Sequence, residues 1–243
     1  MLKSWDDRRD FIILNNKEEA IDFSVEHWIH SSQRAIQRKG SFTVALSGGS
    51  TPRAIYEKLA KSPEIQWDKI YLFWSDERAV PPDHPESNYH MVTETGLTKQ
   101  IPPSQIFRMK AENHIEQNAR DYEKKLRHHL KEHSMDLVML GVGEDGHIAS
   151  LFPDTPALDM SDQLITSNYI PAKKSWRMTF TYPGIHLGSH IVIYALGETK
   201  QAIVNKALNA AIISPWPASR IGTAEHKSLW ILDKQAALKL KTQ

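Results

Sequence analysis

Cysteine occurs nowhere in the 243 residues. Its absence excludes disulfides, a thiolate nucleophile and thiolate-bound zinc, and it suits a reducing compartment. A long apolar run is missing too. Phe11-Ile12-Ile13-Leu14 falls far below the roughly 20 residues of a membrane span and is too short for the core of a secretory leader. A cytoplasmic protein with no membrane partner is expected. Neither sign of charge prevails, since 30 Lys and Arg against 29 Asp and Glu leave a formal net charge of +1. Such a balance gathers no polyanions, so nucleic acid is not an expected partner. Three catalytic signatures are also lacking: the G-x-x-x-x-G-K-[ST] loop for nucleoside triphosphates, the G-x-S-x-G serine elbow and the H-E-x-x-H zinc helix.

What is present is an ordinary globular composition, 40% hydrophobic and 24% charged, long enough for a single α/β domain over residues 1–243. Ile21, Val25, Trp28, Ile29 and Ile36 recur at helical spacing between residues 18 and 39, and Gly40 stands where that helix should stop. Short uninterrupted apolar runs follow at residues 42–46, 70–74, 136–140, 190–196 and 229–232. Without alternation, such runs read as strands buried on both faces, the product of a parallel sheet covered by helices. Helices are predicted over residues 52–60 with Thr51 as N-cap and Pro52 first, from Ser87-Asn88-Tyr89 after a proline-rich loop, over residues 114–132 as a charged exposed face, and from Lys200 to about residue 212. One or two helical turns are expected over residues 148–152, and Asp233 should cap a last helix. Residues 163–169 and 176–180 read as shorter strands, the second half exposed. The fold class is therefore α/β, with a mainly parallel sheet flanked by helices.

In open α/β sheets the ligand crevice lies outside the carboxyl ends of the strands. Four predicted strands run there into polar segments: Ser47-Gly48-Gly49-Ser50-Thr51, Asp76-Glu77-Arg78, Asp145-Gly146-His147 and Gly197-Glu198-Thr199-Lys200. The glycine loop offers backbone N–H groups and the positive end of a helix to a phosphate monoester. Lys200 adds a point charge and Arg78 a planar fork. His147, with Asp145 beside it, can accept and then return a proton near neutral pH. Each segment alone has an ordinary structural explanation, as a turn, a solvated cluster or a hydrogen-bonded imidazole. Their convergence at one sheet edge implies a site for a phosphorylated small molecule, with anion donors, one base and no metal cage. Gly141, Gly143 and Gly146 match G-x-G-x-x-G formally. They lie late in the chain, place Asp145 where a pyrophosphate would sit and precede Pro153 instead of a long helix, so no dinucleotide or other cofactor is expected. Among the twelve histidines, His129 and His133 are one helical turn apart, but on a face dense in Lys and Arg that reads as solvated.

Ser47-Gly48-Gly49-Ser50-Thr51-Pro52, Asp76-Glu77-Arg78 with Ser87-Asn88-Tyr89, Gly143-Glu144-Asp145-Gly146-His147-Ile148-Ala149-Ser150-Leu151-Phe152-Pro153, Arg177-Met178-Thr179 and Gly197-Glu198-Thr199-Lys200 together resemble the 6-phosphogluconolactonase family, in the same order along the chain. The resemblance implies a Rossmann-like fold shared with glucosamine-6-phosphate deaminase, and hydrolysis of 6-phosphogluconolactone in the pentose phosphate pathway. It makes His147 the base for water with Asp145 beside it, and makes Arg78 a substrate ligand together with Asp76, Arg177 and Lys200. The deaminase places a glutamate at the position of Phe152 and a tyrosine at that of Arg78, so both residues point to the lactonase. A non-catalytic sugar-phosphate sensor is the other alternative, one that would dispense with His147.

Overall fold

The computed structural model describes residues 1–131, 133–211 and 214–240. Its strands are β1 (Lys3–Ser4), β2 (Arg9–Leu14), β3 (Phe42–Leu46), β4 (Ile70–Trp74), β5 (Asp76–Arg78), β6 (Leu137–Gly141), β7 (Ile165–Ile170), β8 (Ser175–Phe180), β9 (Ile191–Ala195) and β10 (Ser228–Asp233). The α-helices are α1 (Lys17–Lys39), α2 (Ser50–Leu59), α3 (Asn88–Glu94), α4 (Ile115–Leu130), α5 (Tyr182–His186), α6 (Gln201–Asn209) and α7 (Lys234–Ala237). The apolar runs pair with one another in a sheet of order β1-β2-β10-β9-β6-β3-β4, parallel except for β1. Every residue of β3 and of β9 is buried, as two-sided coverage requires. Trp28 of α1 stands edge-on to Phe42 of β3, with ring centroids 5.0 Å apart. Burying a side chain of that size contributes about 1.5–3 kcal/mol, and the entropy of ordering the chain opposes it. Helix α1 begins where Asn16 accepts a hydrogen bond from Glu19 N–H, and stops where Gly40 turns left-handed at φ 83°.

The strand order decides where ligands go. From β3 the chain steps outward to β4, then returns to the other side of β3 for β6 and continues through β9 and β10 toward the opposite edge. The order therefore reverses between β3 and β6, and the loops leaving these two neighbours open a crevice at that switch point. Those loops are the glycine loop and the segment bearing Asp145 and His147.

Several expectations need correction. Residues 76–78, read as a polar segment after β4, form a strand instead, and with the short strands expected around residues 163–169 and 176–180 they make a second, antiparallel sheet of order β5-β8-β7. Helix α2 starts at Ser50 with Gly49 at its cap, so Thr51 is not the N-cap and Pro52 is third. Nothing is lost thereby, because the first N–H groups of a helix have no intrahelical acceptor. Residues 148–152 make no helical turn. Ile148 bridges to both Val142 and Leu151, and Ala149 is left-handed at φ 49°. Helix α4 is not simply exposed, since Ala119, Tyr122, Leu126 and Leu130 are buried. The predicted ends of two helices, residues 132 and 212, lie outside the described residues. Strand β2 went unpredicted although its apolar run resembles the others, and it pairs in parallel with β10. Among the described residues no helix is long and apolar enough to cross a membrane.

Candidate active site

At the switch point lies a cavity of about 270 Å³. The glycine loop forms one part of it. Tyr56 Oη accepts a hydrogen bond from Ser47 N–H and donates to Ser47 O, both at 3.0 Å, which pins the end of β3 to helix α2. Gly48 has to be glycine on steric grounds, because a Cβ there would lie 2.0 Å from Asn88 Oδ1. Gly49 at φ 108° then turns the chain into α2, whose first backbone bond runs from Arg53 N–H to Gly49 O. Ser50 and Thr51 N–H groups are thus left without an intrahelical acceptor at the positive end of the helix, and both residues line the cavity.

Asp76 and Arg78 reach the cavity from β5, while Glu77 between them points the other way. Asp76 is buried. Its Oδ2 accepts from Ser150 Oγ at 2.7 Å and its Oδ1 from Asn88 Nδ2 at 3.1 Å. Glu77 is equally buried and accepts four hydrogen bonds, from Arg78, Asn88 and Tyr89 N–H and from Ser87 Oγ. Burial nonetheless outweighs those bonds and raises its pKa above the ordinary carboxylate value. Arg78 lines the cavity and donates to Glu86 O at 2.5 Å. Arg177 sits directly across from it in the β5–β8 ladder. Its buried Nη1 has no hydrogen-bond partner, and burial first, then the charge of Arg78, lowers its pKa. Arg177 does not line the cavity.

His147 closes the site from the loop after β6. Its Nδ1 is 2.6 Å from Asp145 Oδ1, and the same oxygen accepts from His147 N–H at 3.1 Å. Burial works to raise the Asp145 carboxyl, but the hydrogen bonds and charge of His147 outweigh it and hold the group below the ordinary carboxylate range. Phe152 stacks on the imidazole with centroids 4.0 Å apart and planes 12° from parallel. Gly143 lies so close that a Cβ on it would fall 2.0 Å from Nδ1. The ring is thus packed on its plane and bonded at one nitrogen, with its orientation determined. Asp145 does not itself line the cavity. Lys200 does, at the foot of α6, where both carboxylate oxygens of Asp233 hold Gly197 N–H at 3.0 Å.

Of the predicted site residues, Ser47, Gly48, Gly49, Ser50, Thr51, Asp76, Arg78, His147 and Lys200 share this cavity. Asn88 and Tyr194 also line it without having been singled out for it from the sequence. Asn88 stood out as a helix start and within the Ser87-Asn88-Tyr89 motif of the resemblance, neither of which assigned it to the site, and Tyr194 is hidden in an apolar strand. One further reading fails. His129 is not on a solvated face, for its Nε2 bonds Thr43 Oγ1 at 3.0 Å and its ring packs against Tyr71, Phe73 and Phe107. Among the described residues no group of three or more His, Asp or Glu is placed to hold a metal.

The chain matches known proteins over nearly its whole length. Residues 15–230 match the family model described as glucosamine-6-phosphate isomerases/6-phosphogluconolactonase. A 6-phosphogluconolactonase of Chlamydia muridarum is 37% identical over 95% of this chain and 90% of its own length. One from Nostoc is 35% identical over 94% and 97%. The solved 6-phosphogluconolactonase of Thermotoga maritima superposes with a TM-score of 0.81 at 28% identity, covering 92% of this chain and 99% of its own. The chain belongs to the glucosamine-6-phosphate isomerase/6-phosphogluconolactonase family.

Proposed function

We propose that the chain hydrolyses 6-phospho-D-glucono-1,5-lactone to 6-phosphogluconate, a step of the oxidative pentose phosphate pathway, with His147 as the base that activates water. The carrying observation is the bond between Nδ1 of His147 and Asp145, beside a cavity that also receives the amino end of α2 and Lys200. A carboxylate on Nδ1 keeps the proton there and leaves the lone pair on Nε2. Water then gives its proton to Nε2 as its oxygen bonds to the lactone carbonyl carbon. Asp145, ionised beside it, stabilises the imidazolium so formed. The tetrahedral intermediate collapses by breaking the bond to the ring oxygen, which takes the proton back and leaves as a hydroxyl, while the new carboxylic acid ionises.

The remaining residues divide by charge. Ser50 and Thr51 N–H and Lys200 suit the dianionic phosphate, and Arg78 suits the developing oxyanion and the product carboxylate. Arg177 backs Arg78 with a second positive charge. Asp76, with both oxygens already accepting hydrogen bonds, orders Asn88 and Ser150 and keeps spare lone pairs for a sugar hydroxyl.

The family's other chemistry is release of ammonia from glucosamine 6-phosphate. The resemblance expects a glutamate near the histidine for that reaction, and here the stacked ring of Phe152 fills the place. Lactone opening, corrected for spontaneous hydrolysis, is expected to scale with enzyme concentration. Ammonia release that scales with enzyme would overturn the reading, and failure on both substrates would overturn it in favour of a sugar-phosphate sensor.

A further inference from the structure

A second cluster of cations lies at the opposite edge of the main sheet, where β6 and β9 begin and not where their catalytic loops leave. Along α1, His27, His30, Arg34 and Arg38 follow one another at spacings of three, four and four, and so form one stripe. The stripe faces Asp136 and His190, which precede β6 and β9, across a cavity of about 210 Å³. We propose that this cavity binds a dianionic phosphoryl group, free or esterified, independently of the catalytic site.

The charges are unbalanced in the direction such a ligand would correct. Asp136 is the one carboxylate among the residues lining the cavity, and it is already neutralised. Its Oδ2 is 2.9 Å from Lys39 Nζ and accepts from Thr43 N–H, and its Oδ1 is 3.3 Å from Arg38. Arg34 has no carboxylate within ion-pair distance among the described residues. Complementing the helix dipole accounts for Arg38 and Lys39, which lie in the last turn of α1, but not for Arg34 or for three imidazoles. His27 Nδ1 is shielded from solvent with no hydrogen-bond partner, a destabilising condition unless something occupies it. A phosphoryl dianion offers several acceptor oxygens and the missing negative charge.

Binding is therefore coupled to protonation. Burial, then the charges of His190 and His30, brings the His27 pKa down to about 4. His190 is lowered by burial first and by Arg34, Arg38 and His226, with Asp136 opposing. On its far side His190 borders a second cavity carrying Asp10, Glu225, His226 and Lys227. A bound dianion favours the protonated rings, so binding raises the titrations of His27 and His190, while the second ionisation of the phosphoryl group, at about pH 6, limits the dianion on the acid side.

The test is the imidazole proton–carbon spectrum of the full chain, followed as a titration from mildly alkaline to mildly acidic pH. Inorganic phosphate, and separately glycerol 3-phosphate, is added in steps at constant ionic strength held with chloride. His27 and His190 resonances are expected to move saturably and their titrations to shift upward by about one pH unit. The response should persist in Lys200→Ala, which weakens the catalytic cavity, and vanish in Arg34→Ala/Arg38→Ala. Arg34→Gln alone leaves the Asp136 pairs intact and should also weaken it, which covers the case in which the double variant folds poorly. Shifts that grow linearly, that chloride reproduces, or that persist undiminished in Arg34→Gln overturn the proposal.

Discussion

Gly143→Ala is a one-methyl test of whether imidazole placement sets the rate. Gly143 is not among the residues with positive φ, so alanine is allowed by the backbone and the fold should tolerate it. The new Cβ would lie 2.0 Å from His147 Nδ1, 2.2 Å from Cε1 and 2.5 Å from Asp145 Oδ1. An ordinary contact begins near 3.4 Å, so the imidazole must retreat by about 3.4 minus 2.0, or 1.4 Å. The move itself is cheap, because a side chain rotates more readily than backbone shifts. It is costly to geometry, since it breaks the Nδ1–Asp145 bond and spoils the stacking on Phe152. Misplacing a reacting group by 1 Å costs on the order of 10²-fold in rate. The expected result is a kcat reduced by at least about that factor, with KM and the melting temperature close to those of the unmodified chain. Initial rates of lactone opening, corrected for the spontaneous reaction, and a circular dichroism melt measure both quantities. A kcat within threefold of normal in a folded variant, or a loss confined to KM, would refute the reasoning.

His147→Ala should lower kcat by about 10²–10⁴-fold with the fold intact, and near-normal turnover would remove His147 from the chemistry. Lys200→Ala is expected to raise KM more than it lowers kcat, with inorganic phosphate remaining a competitive inhibitor; a collapse of kcat at unchanged KM would place Lys200 at the reacting atoms. Glu77→Gln turns part of a four-bond acceptor into a donor facing donors and should cost about 1–3 kcal/mol in denaturant unfolding. Because burial raises the folded pKa of Glu77, its contribution to stability falls as pH rises above the ordinary carboxylate range, and the variant should flatten that slope. The opposite slope belongs to His27, which protonates near 6.5 when unfolded and about 4 when folded. Stability should therefore decline as pH falls through that window, less steeply in His27→Gln; equal slopes would count against the burial of the ring.

Much of this was legible because buried parallel strands write themselves as unbroken apolar runs. Phe42–Leu46, Ile70–Trp74 and Ile191–Ala195 were readable to within a residue or two, and their ends located Ser47–Thr51 and Lys200. What escaped depends on pairing, which no local pattern encodes. Asp76–Arg78 reads as a charged loop after β4, yet becomes a strand only because β8 supplies its ladder partners. Glu77 looks solvated until Ser87, Asn88 and Tyr89 close over it. His129 reads as exposed from its basic neighbours on α4, while the aromatic cluster that receives it comes from β4 and the segment at Phe107. Tyr194 carries no signal at all, since a tyrosine within an apolar strand is ordinary core until the loops around its end are placed.

The alternation of β5 has a consequence for how this region can change over time. Asp76 and Arg78 turn to the cavity, and Glu77 turns to the amino end of α3. Adjacent residues of a strand face opposite sides, so inserting or deleting one residue there exchanges every inward group for an outward one. Such a frame slip would swing the Glu77 carboxylate into a space meant for an anion and strand Arg78 against the N–H groups of α3. A change in the length of this segment therefore disturbs the cavity and the start of α3 together, whereas a single substitution disturbs one side chain at a time.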